Sequence, residues 1–144
     1  MTMASGLYVA TIRDSVSNVI ALDVTSTLCK VAMYTDALTP NFNADPSSYS
    51  LTNEVSGTGY TAGGIVIASP TLTVSTGSLV FDIADSAWTG STITNAEGAT
   101  IYADGLTPKA NIVTIDFGAA FSTVAGTFTI QWPAGGVWSI DLVP

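Results

Sequence analysis

The chain has 144 residues, of which 47% are hydrophobic and only 10% are charged, against about 25% charged residues in an average globular domain. Eleven acidic and three basic residues give a net charge of −8 at pH 7, and the chain contains one Cys and no His. This composition excludes intrinsic disorder, which requires low hydrophobicity and high charge. So few basic residues also exclude direct binding to DNA or RNA and disfavour an anionic membrane surface, because both depend on Lys and Arg.

The length suits one domain. No apolar run approaches the roughly 20 residues that a transmembrane helix needs, and the first eight residues lack the basic and apolar regions of a signal peptide. The mean hydropathy of +0.46 therefore indicates a domain with a neutral surface of Thr, Ser and Gly. Because such surfaces resist association less than charged ones, we expect an oligomer or a subunit of a larger assembly.

The N-terminal segment, residues 1–26, is expected to contain a short amphipathic helix within residues 7–20. Its apolar residues recur at helical spacing, namely Ile12, Val16, Val19 and Ile20. A strand over residues 7–12 is the alternative, since Tyr8 and Val9 favour β structure.

From residue 27 to the C-terminus the pattern is that of short strands separated by Gly, Pro, Asn and Ser. About nine strands are predicted, at residues 28–34, 64–68, 71–75, 78–83, 87–93, 99–103 and 111–117, with a final hairpin formed by residues 127–132 and 138–142. No helical pattern lies between them, so a parallel α/β sheet is disfavoured. We expect an all-β fold, a two-sheet antiparallel sandwich of jelly-roll type, in which residues 27–144 form one structural unit.

Few residues of the chain suggest a catalytic site. Cys29 shares an apolar strand face with Val31 and Met33 and has no partner for a disulfide, which predicts a buried, inert thiol and fits synthesis in a reducing cytoplasm. Four aspartates could in principle meet as a glycosidase pair, although their spacing does not require it: Asp82, Asp85, Asp104 and Asp116. We expect no catalytic residues, no cofactor and no enzymatic activity.

A long polar loop is predicted for residues 36–53. Asn41, Asn43 and Asp45 stand at alternate positions, as in calcium loops, but Pro46 occupies the place of the loop glycine and Thr52 that of the distal Glu. This pattern favours a polar turn, and no metal site is expected.

The glycine-rich segment that follows, residues 53–64, lacks the Lys of a phosphate-binding loop. Its glycines predict a loop with positive φ angles and close backbone approaches, which would hold Tyr60 against the loop or present it to a partner. Among the three tryptophans, Trp132 and Trp138 fall on apolar strand faces and are expected in the core. Trp88 precedes Thr, Gly and Ser and is the expected exposed aromatic residue.

Several segments resemble those of small structural proteins of tailed bacteriophages. The most specific is NEVSGTGYTAGG at residues 53–64; the others are KVAMYT at 30–35, DIADSAWTG at 82–90, IDFG at 115–118 and AGTFTIQW at 125–132. The resemblance implies a virion component, made in the host cytoplasm, that decorates the capsid surface as a cement protein with a jelly-roll-like fold. It implies the major capsid protein as partner, together with a homo-oligomer, dimer or trimer, on the shell.

Contacts in such a protein are expected from the N-terminal segment, the long loop, the glycine-rich loop and the exposed tryptophan. The candidate interface residues are Tyr8, Phe42, Tyr49, Tyr60 and Trp88. On this hypothesis Tyr60→Ala weakens particle binding and leaves the melting temperature unchanged. The alternative function is a tail-fibre or spike-associated module that binds host-surface carbohydrate through exposed aromatics such as Trp88.

Overall fold

The computed structural model describes residues 3–26 and 28–144. Its elements in chain order are β1 (Gly6–Leu7), α1 (Val9–Val16), β2 (Cys29–Tyr34), β3 (Ile65–Val66), β4 (Thr71–Ser75), β5 (Ser78–Asp82), β6 (Ser86–Ala103), β7 (Asn111–Ile130) and β8 (Trp138–Asp141). The protein is mostly β, with two antiparallel sheets and one short helix in the described residues. This arrangement is consistent with a β-sandwich.

One sheet has five strands in the order β1-β7-β6-β2-β3, and the other has three in the order β4-β5-β8. The larger sheet is built on a long hairpin, in which the 18 residues of β6 pair with the 20 residues of β7. Residues 87–93 and 99–103, predicted as separate strands, both belong to β6. Register shifts between them, one beside Asn95 with its positive φ of 55°, let the strand continue where the sequence suggests a break.

The core combines side chains from both sheets. Its largest fully buried members include Phe81 from the small sheet and Ile93, Ile101 and Ile112 from the large one. The strand β2 lies inside the large sheet and is buried on both faces. Its predicted core residues, Cys29, Val31 and Met33, are confirmed as buried in the main cluster.

The predicted N-terminal helix is confirmed, but its buried face differs from the expected one. Ala10 and Thr11 are buried, whereas Val16 is 83% and Val19 is 70% exposed. The helix docks through its first turn, where the Thr11 hydroxyl donates to the Asn111 carbonyl at 2.6 Å. It ends at Val16, so the later apolar residues of the periodic pattern lie outside it. No helix in the described residues is long and apolar enough to cross a membrane.

The predicted C-terminal hairpin is wrong. The strand β7 ends at Ile130 within the large sheet, whereas β8 pairs with β5 in the small one. Residues 131–137 carry the chain between the sheets, and the Val137 N–H donates to the Phe81 carbonyl at 2.8 Å. The Trp138 ring then stacks on the buried Phe81 with centroids 5.5 Å apart, and this contact favours pairing with β5 over return to β7.

Candidate functional site

The glycine-rich loop, residues 53–64, has no regular secondary structure and lies across β2 and β6. The Val55 N–H donates to the Met33 carbonyl at 3.0 Å, and the Thr92 N–H donates to the Thr58 carbonyl at 2.8 Å. The outer side of the loop is open to solvent along Ser56, Gly57, Thr58, Gly59, Thr61 and Ala62. We call residues 53–64 the glycine loop and these six residues its outer surface.

Two glycines let this loop lie directly on the neighbouring strands. A Cβ atom at Gly57 would stand 1.9 Å from the Thr92 carbonyl oxygen, and one at Gly64 would stand 1.8 Å from the Val31 carbonyl oxygen. Both residues have positive φ angles, 149° and 71°. The predicted close backbone approach is therefore confirmed, because any other residue would overlap with β2 or β6.

A single carboxylate, that of Glu54, anchors the inner side of the loop through hydrogen bonds. Oε1 of Glu54 accepts hydrogen bonds from the Tyr60 hydroxyl at 2.6 Å and from the Gly63 N–H at 2.7 Å, and Oε2 accepts one from the Tyr49 hydroxyl at 2.5 Å. The Tyr60 oxygen also accepts the Met33 N–H at 3.0 Å. We call Glu54 with these three donors the Glu54 hub; it links the long loop, the glycine loop and β2.

Burial keeps the hub hydroxyls protonated. Desolvation raises the pKa of Tyr60 far above its ordinary value, and the hydrogen bond to Glu54 raises it further. The pKa of Tyr49 is raised by the same causes in the same order. Both hydroxyls therefore remain hydrogen-bond donors over the physiological pH range and serve as fixed supports rather than as proton-transfer groups.

Two more tyrosines, Tyr102 and Tyr34, also anchor the glycine loop and the long loop. The Tyr49 and Tyr102 rings stack with centroids 4.3 Å apart and an interplanar angle of 14°. The Tyr102 hydroxyl donates to the Gly63 carbonyl at 2.8 Å, and the Tyr34 hydroxyl donates to the Ser50 carbonyl at 2.8 Å. Nothing in the sequence marks this set as a cluster, because its members come from β2, β6 and two loops.

Trp88, the expected exposed aromatic, is only 3% exposed, so that prediction is wrong. Its ring lies 6.0 Å from that of Tyr60, which is itself half-buried. Trp88 shares the inward face of β6 with the buried Ser86, and the hydroxyl of buried Ser91 is satisfied by the Trp88 carbonyl at 2.9 Å. Small polar residues near Trp88 are therefore no sign of exposure, because Ser86 and Ser91 are themselves buried. Since Tyr60 supports the core, Tyr60→Ala would remove folding contacts and is not a clean test of binding.

Tyr8 of the N-terminal segment and Phe42 of the long loop form a separate pair. Their ring centroids are 5.2 Å apart, and the Tyr8 hydroxyl lies 3.0 Å from that of Thr114. Tyr8 is 4% exposed, while Phe42 and Tyr49 are half-buried. The structure therefore brings Tyr49, Tyr60 and Trp88 together through Glu54 and ring stacking, and it places Tyr8 and Phe42 in a separate pair.

Other apolar side chains are the ones that face solvent. On the described strands the most exposed are Val124 at 84%, Val74 at 83% and Phe121 at 51%. Phe121 borders a groove of about 410 Å³ on β7, which Phe117, Ser122, Thr123 and Gln131 also line. Residue type gives no signal for this exposure, because Val and Phe are equally typical of core strands.

The charged groups are dispersed. Arg13 pairs with Asp14 and Asp45, each at 2.7 Å, so Asp45 of the calcium-like pattern is bound to a guanidinium. Lys109 and Lys30 both pair with Asp104, at 2.6 and 3.0 Å, and lower its pKa, Lys109 contributing most.

The other three aspartates of the possible glycosidase pair are bound to separate backbone N–H groups. Asp82 accepts from Ile83, Asp85 from Trp132 and Asp116 from Gly118. Among the described residues, no group of three His, Cys, Asp or Glu side chains could hold a metal ion. Burial, followed by the charge of Asp23, raises the pKa of Cys29 to about 11, so its thiol is protonated at neutral pH.

Comparisons with known proteins add no relative: no protein-family model, no curated protein and no solved structure matches this chain.

Proposed function

We propose that this chain is a capsid decoration protein of a tailed bacteriophage, with a sandwich of jelly-roll type, which binds the outer surface of the major capsid protein as a homo-oligomer and stabilises the shell. The observation that carries the proposal is the glycine loop: an exposed, irregular segment held in one conformation by the Glu54 hub and by backbone contacts. The segment resemblance at residues 53–64 falls on this same loop.

A loop fixed in this way suits a binding role. Ordering a flexible loop on binding costs free energy for each immobilised residue, and a preformed loop avoids that cost. The side chains on the outer surface of the loop are small and uncharged, so the loop can approach the backbone of another protein closely. On a shell with many equivalent positions, modest contacts repeated in many copies oppose rupture by internal pressure.

The charge distribution supports a basic or neutral partner surface. Within the described residues the three cations pair with Asp14, Asp45 and Asp104, which leaves the other eight carboxylates without a cation. A partner with exposed Lys or Arg would complement this surface, and the association rate would fall as salt is added.

The first test is the copy number in purified particles, measured by quantitative mass spectrometry against the major capsid protein. Copies comparable with the shell protein are expected. A handful of copies would favour a tail or vertex location, and absence from the particle would overturn the proposal.

The second test addresses the loop. Thr58→Arg and Thr61→Arg place a long basic side chain on the outer surface, where both threonines are exposed, and should weaken co-sedimentation with particles lacking the protein about tenfold or more. Thr127→Arg on β7, also at an exposed threonine, is the matched control and should bind normally. Equal binding by all three variants would remove the glycine loop from the interface.

The second candidate function is a tail-associated module that binds host-surface carbohydrate. The groove beside Phe121 favours it, because an exposed aromatic ring flanked by Ser122, Thr123 and Gln131 offers stacking and hydrogen bonding together. In this candidate function Phe121, and not the buried Trp88, supplies the exposed aromatic ring. Glycan-array binding that is lost in Phe121→Ala would support this function over capsid decoration.

A further inference from the structure

The four sheet edges are unequally protected. In the large sheet the edge strands β1 and β3 have two residues each. In the small sheet β8 has four residues and includes Asp141, whereas β4 has five, Thr71–Ser75, all exposed and uncharged. Short length and charge are the usual devices that prevent edge strands from pairing with another chain. Only β4 lacks both.

The hairpin register decides which groups of β4 face outward. Ser75 pairs with Ser78 across Thr76-Gly77, whose φ angles of 49° and 81° form a two-residue turn. In such a hairpin the closing pair is hydrogen-bonded, and hydrogen-bonded pairs then alternate with non-bonded ones. Thr73 therefore bonds to β5, while Leu72 and Val74 direct their N–H and C=O groups to the free edge.

We propose that β4 pairs antiparallel with β4 of a second copy of this chain, about a two-fold axis at Thr73. In this register Leu72 lies opposite the partner's Val74, and Val74 lies opposite the partner's Leu72. Every outward N–H and C=O of these residues then finds a partner. The apolar side chains meet on one face of the joined sheet, and the two copies of Thr73 meet on the other.

The observations favour a second copy over a different protein. The net charge of −8 makes two copies repel each other over most of their surface, but residues 69–81 contain no charged side chain. A basic partner would seek the carboxylates and not this neutral edge. The pattern Leu-Thr-Val is also self-complementary, because the two-fold axis places an apolar residue opposite an apolar one.

Pairing would cover the apolar side chains left open in the monomer. Val74 is 83% and Leu72 is 39% exposed, and both lie on the sheet face that Leu79 and Phe81 share. The two small sheets would become one continuous sheet through the dimer. Each dimer would carry two glycine loops, but the dimer itself does not depend on the capsid function.

The test is the mass of the full chain in solution by sedimentation equilibrium. The expected mass of the wild type is twice 14.7 kDa at micromolar concentration. Val74→Lys should raise the dissociation constant at least about tenfold, because it replaces two apolar cross-strand contacts by charge. Val124→Lys, the same change at an 84% exposed valine on β7, is the matched control and should remain dimeric.

Two further measurements separate a lost contact from a lost fold. Val74→Pro removes an outward N–H and no bond to β5, and it should also give monomers with an unchanged circular dichroism spectrum. In the wild type, amide exchange at Leu72 and Val74 should slow as concentration rises. A wild type that is monomeric or trimeric, a dimer that Val74→Lys leaves intact, or exchange independent of concentration would overturn the proposal.

Discussion

The glycine loop and the β4–β5 hairpin reverse the usual relation between regular structure and burial. The loop has no helix or strand, yet Glu54 accepts three hydrogen bonds beneath it and Gly64 lies against the backbone of β2. The hairpin is regular, with five paired positions, yet every residue of β4 is exposed.

The difference shows where each segment obtains its stability. The loop depends on contacts with residues distant in sequence, such as the bond from Met33 to the Tyr60 hydroxyl. The hairpin depends on its own turn at Thr76-Gly77 and on one neighbouring ladder. Changes at the loop residues that make these distant contacts should therefore affect the whole fold, and changes on β4 should affect only what happens at its edge.

The largest effect is expected for Gly64→Ala. A Cβ here would stand 1.8 Å from the Val31 carbonyl oxygen, so β2 or the loop must move, and the free energy of unfolding should fall by about 4 kcal/mol or more. Gly118→Ala is the matched control: its φ of 76° is similar, nothing lies within 4 Å, and the cost should be about 1 kcal/mol. Urea unfolding measures both; equal losses would mean that backbone strain, and not close approach, fixes the loop.

The next effect is expected for Glu54→Gln. The amide keeps the shape but offers one accepting oxygen, so one donor among the Tyr49 hydroxyl, the Tyr60 hydroxyl and the Gly63 N–H loses its acceptor. We expect a loss of about 2–3 kcal/mol in unfolding free energy. A variant as stable as the wild type would show that the hub does not support the loop.

Alkaline pH should lower the free energy of unfolding. The pKa of Cys29 is about 11 in the folded protein against an ordinary 9.0, so its stabilising contribution is complete below pH 9 and is lost as the pH rises towards 11. That loss is about 2 kcal/mol for this group at pH 11. The buried tyrosines, whose pKa values are also raised, add to the fall above pH 10.

Chemical denaturation at pH 8 and pH 11 checks this expectation. Cys29→Ala starts from a lower stability because it leaves a small cavity, but it should lose about 2 kcal/mol less between the two pH values than the wild type does. Parallel losses in the two proteins would assign the pH dependence to other groups.

The smallest effect is expected for Val74→Ala on β4. The side chain is 83% exposed, so unfolding free energy should change by no more than about 0.5 kcal/mol. The measurement belongs at submicromolar concentration, where association contributes least. A loss comparable with that of Glu54→Gln would mean that this strand supports the fold after all.

The sequence predicted some elements closely because their signals are local. The strand β4 has the predicted bounds, and the two-residue turn at Thr76-Gly77 fills the gap between the predicted strands 71–75 and 78–83. The glycine loop was also anticipated, since only glycine tolerates such close approach. By contrast, Trp88 looked exposed because small polar residues follow it, and its burial depends on pairing between β6 and β7 across some 40 residues.

The sequence by itself determined the β-rich class, the acidic balance and the buried Cys29, because composition and short-range periodicity express them directly. The tertiary structure alone decided which sheet β8 joins, which tyrosines gather around Glu54 and which edge strand stays open. These features depend on contacts between residues far apart in the chain, and a local pattern of apolar and polar residues is compatible with more than one such pairing.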